Sequence, residues 1–82
     1  PEQGDSAIEK LLDILEDVRH TKFPNDDFYG ETTVNIGVIE GGVALNVIAP
    51  TAEASLLIRL TTPREPIEQA LIYVIRGRGE IE

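Results

Sequence analysis

Residues 32–62 read TTVNIGVIEGGVALNVIAPTAEASLLIRLTT, and how this stretch pairs with itself decides the fold. Its first part alternates. Val34, Ile36 and Val38 point one way, and Thr33, Asn35, Gly37 and Ile39 point the other. Its last part alternates again. Ala52, Ala54, Leu56, Ile58 and Leu60 make an apolar face, and Glu53, Ser55, Leu57, Arg59 and Thr61 make a more polar one. An antiparallel sheet covered on one side produces this pattern. Between the two runs, Glu40-Gly41-Gly42 reads as a tight reversal, because glycine accepts the positive φ such a turn needs. Residues 43–48 then read as a short extended piece, which Ala49-Pro50 ends. A hairpin built on Gly37, Gly41 and Gly42 explains most of this, but it does not require two asparagines, Asn35 and Asn46, inside apolar runs. Each either satisfies the backbone of a turn or contacts a ligand.

The flanks are helical. In SAIEKLLDILEDVRH, Ile8, Leu11, Leu12, Leu15 and Val18 recur at steps of three and four, and Ala7 and Ile14 widen the stripe. Ser6 followed by Glu9 is a capping box that marks the start. After the strands, Pro66 suits a first helical turn. Ile67, Ala70, Leu71 and Val74 form a second stripe, and Gly77 stops it. Arg76 and Arg78 complement the dipole there, and 79–82, GEIE, reads as the start of another strand. The order helix, strand, strand, helix, strand predicts an α+β fold: a two-layer ferredoxin-like sandwich, two helices on one face of an antiparallel sheet, with its first strand missing. Residues 1–82 are expected to form one domain whose two ends read as cut.

The bulk composition narrows the function. A domain of 82 residues buries only about 60–65% of its unfolded surface, so it gains from a partner. Fifteen acidic and seven basic residues leave a net charge of −8, which repels phosphate backbones and argues against nucleic acid. No apolar run approaches the ~20 residues of a membrane span. The absence of cysteine excludes thiolate metal sites and leaves the compartment, secreted or cytoplasmic, open. Residues 21–32 read as a loop pinned by Phe23, Phe28 and Tyr29. Within it Asp26 and Asp27 lack a third oxygen ligand and read as solvated. His20 reads as a surface or capping residue at the end of the first helix.

Several motifs together carry a resemblance. TVNIGVIEGG, then NVIAP, then AEASLLIR is similar to the lid, or dimerisation, domain of the two-zinc metallopeptidase and deacylase family. That family includes acetylornithine deacetylase, succinyl-diaminopimelate desuccinylase, aminoacylase and glutamate carboxypeptidase, and the carboxypeptidase-type members look most alike. Asn35, Ile36, Gly37, Ile39, Gly41 and Gly42 match the family's N-I-G-x-I-x-G-G hairpin, and Asn46, Val47 and Ile48 match its N-V-I-P. Arg59 stands thirteen residues after Asn46, as in the family pattern. The likeness covers nearly the whole chain. Two departures stand out: Ala49 occupies the usual proline position, with Pro50 one later, and the histidine that precedes the family's proline would lie just before Pro1.

The resemblance implies a division of labour. The lid asparagine and arginine, here Asn46 and Arg59, are expected to hold substrate. The Arg59 fork suits a substrate carboxylate, against the plainer alternative of a surface ion pair with Glu53. Asn35 is expected to bond backbone near the hairpin. Zinc and the residues that hold it belong to a catalytic domain elsewhere, where metal-activated hydroxide attacks an amide beside a free carboxylate. This chain is therefore expected to be non-catalytic and to bind no metal. Its expected partners are its own catalytic domain, a peptide or N-acyl amino acid substrate, and a second copy of itself. The strand over 32–39 contains neither charge nor proline, and such an edge pairs readily. Thr32, Val34, Ile36 and Val38, with Ile14 of the first helix, are the expected homodimer contacts. The competing expectation is a free-standing ferredoxin-like regulatory module that binds a small effector.

Overall fold

The computed structural model describes residues 6–82. Two helices and two strands follow one another as α1 (Ala7–Arg19), β1 (Thr33–Gly41), β2 (Ala52–Arg59) and α2 (Arg64–Ile75). The strands pair antiparallel, and both helices pack on the same face of that sheet. The architecture is α+β, as the patterning predicts.

Helix α1 starts at Ser6, whose Oγ accepts the Glu9 N–H at 3.4 Å. It ends at His20, whose backbone N–H donates to the Glu16 and Asp17 carbonyls. The His20 Nδ1 also lies 2.9 Å from the Glu16 carbonyl oxygen, so the lone histidine closes a helix. The buried face consists of Ile14, Leu15 and Val18, while Leu12 is 47% exposed. At 100° per residue the stripe centres on Leu11, Ile14 and Val18, which leaves Leu12 on its rim. Ile14 is thus a core residue at 8% exposure, which corrects its assignment to a surface that meets another copy.

The strand pairing differs from the expected hairpin. β1 runs on through Gly41 and pairs with β2, not with residues 43–48. Asn46 is the only polar side chain in 43–48, so that piece cannot divide into an inner and an outer face. Ala52–Arg59 does divide, and the Val34↔Ile58 and Ile36↔Leu56 pairs align its apolar residues with those of β1. Residues 42–51 form the connection. Gly42 opens it at φ 85° and donates its N–H to the Thr51 carbonyl at 3.4 Å. A further correction comes from Gly37. The register slips between Ile36 and Val38, so Gly37 is the extra residue of a β-bulge. Beyond it the faces exchange: Val38 lies opposite Ser55 on the open face, and Ile39 lies opposite Ala54 on the helix face.

The core gathers Ile14 and Val18 of α1, Phe23 of the following loop and Ile67 of α2. Val34, Leu56 and Ile58 of the sheet pack against them. Phe23 alone of the three loop aromatics is buried. Phe28 and Tyr29 are 84% and 73% exposed and meet only edge to face at 4.9 Å, so they do not pin the loop. Asp26 organises the turn instead: its carboxylate accepts the Phe28 and Tyr29 N–H groups.

Helix α2 ends with Arg76 at φ 54° and Gly77 at φ 75°. Arg78 then folds back on it. Its Nε donates to the Ile75 carbonyl at 3.0 Å, and its Nη2 donates to the Val74 carbonyl at 2.7 Å and to Asp17 of α1 at 2.8 Å. Residues 79–82 form no strand, contrary to expectation. An extended segment becomes a strand only when a neighbour supplies its hydrogen bonds.

Candidate functional site: a free edge, a groove and an apolar loop

Two features at opposite ends of β1 define the candidate surface. Among the described residues the sheet has two strands, so one side of β1 faces β2 and the other has no strand beside it. From Thr33 to Ile39 this edge carries no charge and no proline, the usual protections of an exposed edge. Helix α1 runs antiparallel to β1. Ile8, near its start, lies against Gly41 and Gly42, and Val18, near its end, packs against the cluster that includes Val34.

At the Thr33 end of this edge is an open groove of about 380 Å³. Val18 and Arg19 of α1, Thr21 and Phe23 of the loop, and Thr32, Val34 and Ile36 line it. No residue of β2 or α2 contributes, so the groove lies on the free side of the sheet. Thr32 is fixed there by three contacts: its Oγ1 donates to the Pro24 carbonyl at 2.7 Å and lies 3.4 Å from the Thr61 hydroxyl, and its N–H donates to Asn25 Oδ1.

At the Gly41 end is the connection of residues 42–51. Ala49 anchors it, at 4% exposure, with its carbonyl accepting the Ala7 N–H at 2.9 Å. That bond satisfies one of the donors a helix start leaves free. Here Ala49 and not a proline sits under α1. The rest of the connection is exposed, and it carries four large apolar side chains. Val43 is 73% exposed, Val47 49% and Ile48 43%, and Leu45 at the apex is fully exposed.

The structure separates the two expected substrate contacts. Asn46 lies in the connection, and Arg59 ends β2 opposite Thr33. Seven residue steps from Ala52 to Arg59 span about 23 Å, so the two side chains do not converge within one chain. The same spacing excludes a Glu53–Arg59 ion pair. Glu53 lies opposite Glu40 at the far end of the sheet, and no ion pair holds Arg59 among the described residues. Asn35 is exposed on the open face, opposite Leu57, and bonds no backbone near a hairpin, which corrects that expectation. Gly37 is explained by the bulge and Gly42 by its positive φ. Gly41 is explained by crowding: a Cβ there would lie 2.9 Å from both Ala52 Cβ and Ile8 Cγ1.

Among the described residues no three His, Cys, Asp or Glu side chains gather where they could hold a metal ion. No helix among them is long and apolar enough to cross a membrane. The groove and the exposed loop were not anticipated from the sequence. The one signal for the loop is the absence of charge from Gly41 to Ala52 in a chain of net charge −8.

Comparison with known proteins identifies the family. Residues 1–75 match the peptidase dimerisation domain family. The chain is 42% identical over 77 residues to a probable carboxypeptidase of Emericella nidulans, covering 92% of this chain and 18% of that protein. It is 42% identical over 67 residues to a peptidase M20 domain-containing protein of Schizosaccharomyces pombe, covering 82% of this chain and 17% of that protein. A probable carboxypeptidase of Paracoccidioides brasiliensis is 40% identical over 89 residues, with 94% and 20% covered. The chain thus spans about a fifth of the length of these curated relatives or slightly less. No solved structure matches it. With the family match running over most of the chain, and both strands and both helices inside it, this chain belongs to the peptidase dimerisation domain family.

Proposed function

We propose that residues 1–82 are the non-catalytic lid and dimerisation domain of a zinc-dependent carboxypeptidase or N-acyl-amino-acid hydrolase. The domain joins two copies of the protein and contributes contacts to a substrate carboxylate. The observation that carries this reading is the free edge of β1, uncharged from Thr33 to Ile39, in a member of the peptidase dimerisation domain family. The names of the relatives support the carboxypeptidase half of it.

A two-fold axis beside β1 pairs the edges of two copies antiparallel and makes one four-stranded sheet. That symmetry has a consequence for Asn46 and Arg59. The Thr33 end of one β1 then lies beside the Gly41 end of its mate. Arg59 of one copy is opposite Thr33, and Asn46 of the other follows Gly41. The two groups, far apart in a single chain, come to the same end of the joint sheet from different subunits. A planar guanidinium and an amide are suited to one carboxylate and the amide beside it.

The described residues do not fit a zinc site. Its one histidine closes α1, and Asp26 accepts the N–H groups of its own turn. In this reading the zinc ligands belong to the catalytic domain of the full-length protein.

Sedimentation of the chain at tens of micromolar, the range in which a specific interface of modest size is populated, tests the reading. A concentration-dependent dimer is expected. A monomer throughout that range overturns the self-association on which the proposal stands.

A further inference from the structure

Asn35 and Leu57 stand opposite each other on the open face of the sheet, and neither serves the fold. Leu57 is 71% exposed, and the Asn35 side chain bonds nothing among the described residues. We infer that the two complete, with Arg59, a subsite for the carboxyl-terminal residue of a peptide substrate. Arg59 and Asn35 hold its carboxylate, and Leu57 with Val38 receives its side chain, which is apolar. The inference rests on the proposal that Arg59 binds a substrate carboxylate.

The geometry follows from the register. Along β2 the exposed residues Glu53, Ser55, Leu57 and Arg59 alternate with Leu56 and Ile58, which pack on the core, so the four share the open face. Two residue steps place Leu57 about 7 Å from Arg59. Asn35 pairs with Leu57 and Thr33 with Arg59, so Asn35 is the diagonal neighbour of Arg59, at about 7–8 Å. A carboxylate between them has lone pairs for the guanidinium and for the Asn35 amide. The bulge at Gly37 then carries Val38, 51% exposed, onto this face opposite Ser55, diagonal to Leu57. Bulges beside a site re-aim side chains in this way. Gly37 itself adds no side chain between Asn35 and Val38.

Charge on this face is sorted. Arg59 is the one cation in the two strands, and their only other charges, Glu40 and Glu53, lie opposite each other at the far end. Six residue steps, about 20 Å, separate Glu53 from Arg59. A carboxylate is drawn to the Arg59 end and repelled from the other, so a bound carboxyl terminus has one place on the face. From there, the large apolar surface within reach of a leucine or phenylalanine side chain is Leu57, backed by Val38. A terminal glutamate would lay a second carboxylate on the same two side chains, with no second cation in either strand to pair it.

The test uses the full-length protein and N-acetylalanyl dipeptides that end in leucine, alanine or glutamate, each as the free acid and as the amide. The unmodified protein should favour terminal leucine over glutamate by about tenfold or more in kcat/KM, the scale of one apolar group seated or lost. Leu57→Ala should cut the preference for leucine over alanine by about tenfold, and Leu57→Lys should reverse the order of leucine and glutamate. Asn35→Ala should raise KM for all three free acids alike. Ratios between substrates do not depend on how much protein is folded, so a loss of stability cannot imitate these changes. A preference for leucine that survives Leu57→Ala, with amides still rejected, overturns the subsite and leaves the role of Arg59 standing. A KM unchanged by Asn35→Ala overturns the share of Asn35 in it. Amides cleaved as well as free acids overturn both the subsite and the carboxylate contact on which it rests.

Discussion

Arg78 and Asp17, 61 residues apart in the sequence, meet at 2.8 Å and tie the end of α2 to the side of α1. The same guanidinium closes the carbonyls of Val74 and Ile75. One side chain thus finishes a helix and fastens it to its neighbour, in a domain whose helices otherwise share a small core.

Arg78→Ala should therefore destabilise the chain. Three hydrogen bonds to a charged donor are lost, and the two carbonyls return to water. Asp17 is more than half exposed, which discounts its share. A loss of about 1–2 kcal/mol is expected, read as a lower urea midpoint with an unchanged slope. Arg78→Lys should recover little of it, because an ammonium is a single point of charge and cannot reach three acceptors through a planar fork. A midpoint equal to that of the unaltered chain would mean that the tail is not held.

The glycines of β1 make a paired prediction. Gly41→Ala sets a Cβ 2.9 Å from Ala52 Cβ and Ile8 Cγ1 and 3.2 Å from the Ala52 Cα, which is backbone and cannot rotate away. Overpacking there should cost about 1–3 kcal/mol. Gly37→Ala meets nothing closer than 3.7 Å and should change stability by no more than about 0.5 kcal/mol. Thermal unfolding of the two variants side by side checks the contrast. Equal effects would show that the strands pair in another register.

Those two glycines also mark how far the sequence could be read. The start of α1 was legible because Ser6 and Glu9 stand three apart, and its buried face because apolar residues recur at the helical period. The Val34 and Ile36 side of β1 followed from alternation. The bulge did not, because a period of two carries no sign of where one residue drops out of register. The hairpin was misjudged for a related reason. Residues 43–48 are apolar enough to be a strand, and only long-range pairing decides in favour of Ala52–Arg59. The Asp17–Arg78 tie depends on the whole chain path, so no local pattern announces it. Of the candidate site, Asn46 and Arg59 are singled out by the resemblance to the family, but their separation at the two ends of the sheet required the register.

That separation frames the last prediction. Arg59 is exposed at the end of β2, has no acidic partner among the described residues and packs into no core. Arg59→Lys should leave the stability of the chain within about 0.5 kcal/mol, as surface substitutions usually do. In the full-length protein the same change should raise KM for substrates with a free carboxylate and leave amidated analogues unaffected, because lysine keeps the charge and loses the two parallel hydrogen bonds. A tenfold or larger rise, about 1.4 kcal/mol, is the expected scale for one charged bidentate contact. Asn46→Ala should produce a rise of the same kind. If Asn46 and Arg59 reach one substrate from two subunits, a mixture of the single variants regains normal sites. Each mixed dimer then holds one site with both changes and one with neither. Measured by titrating one variant into the other, recovery toward a quarter of full activity at equal amounts is the expected outcome (about half the dimers are mixed, and half of their sites are intact). A mixture no more active than either variant alone would mean that both residues serve the same subunit.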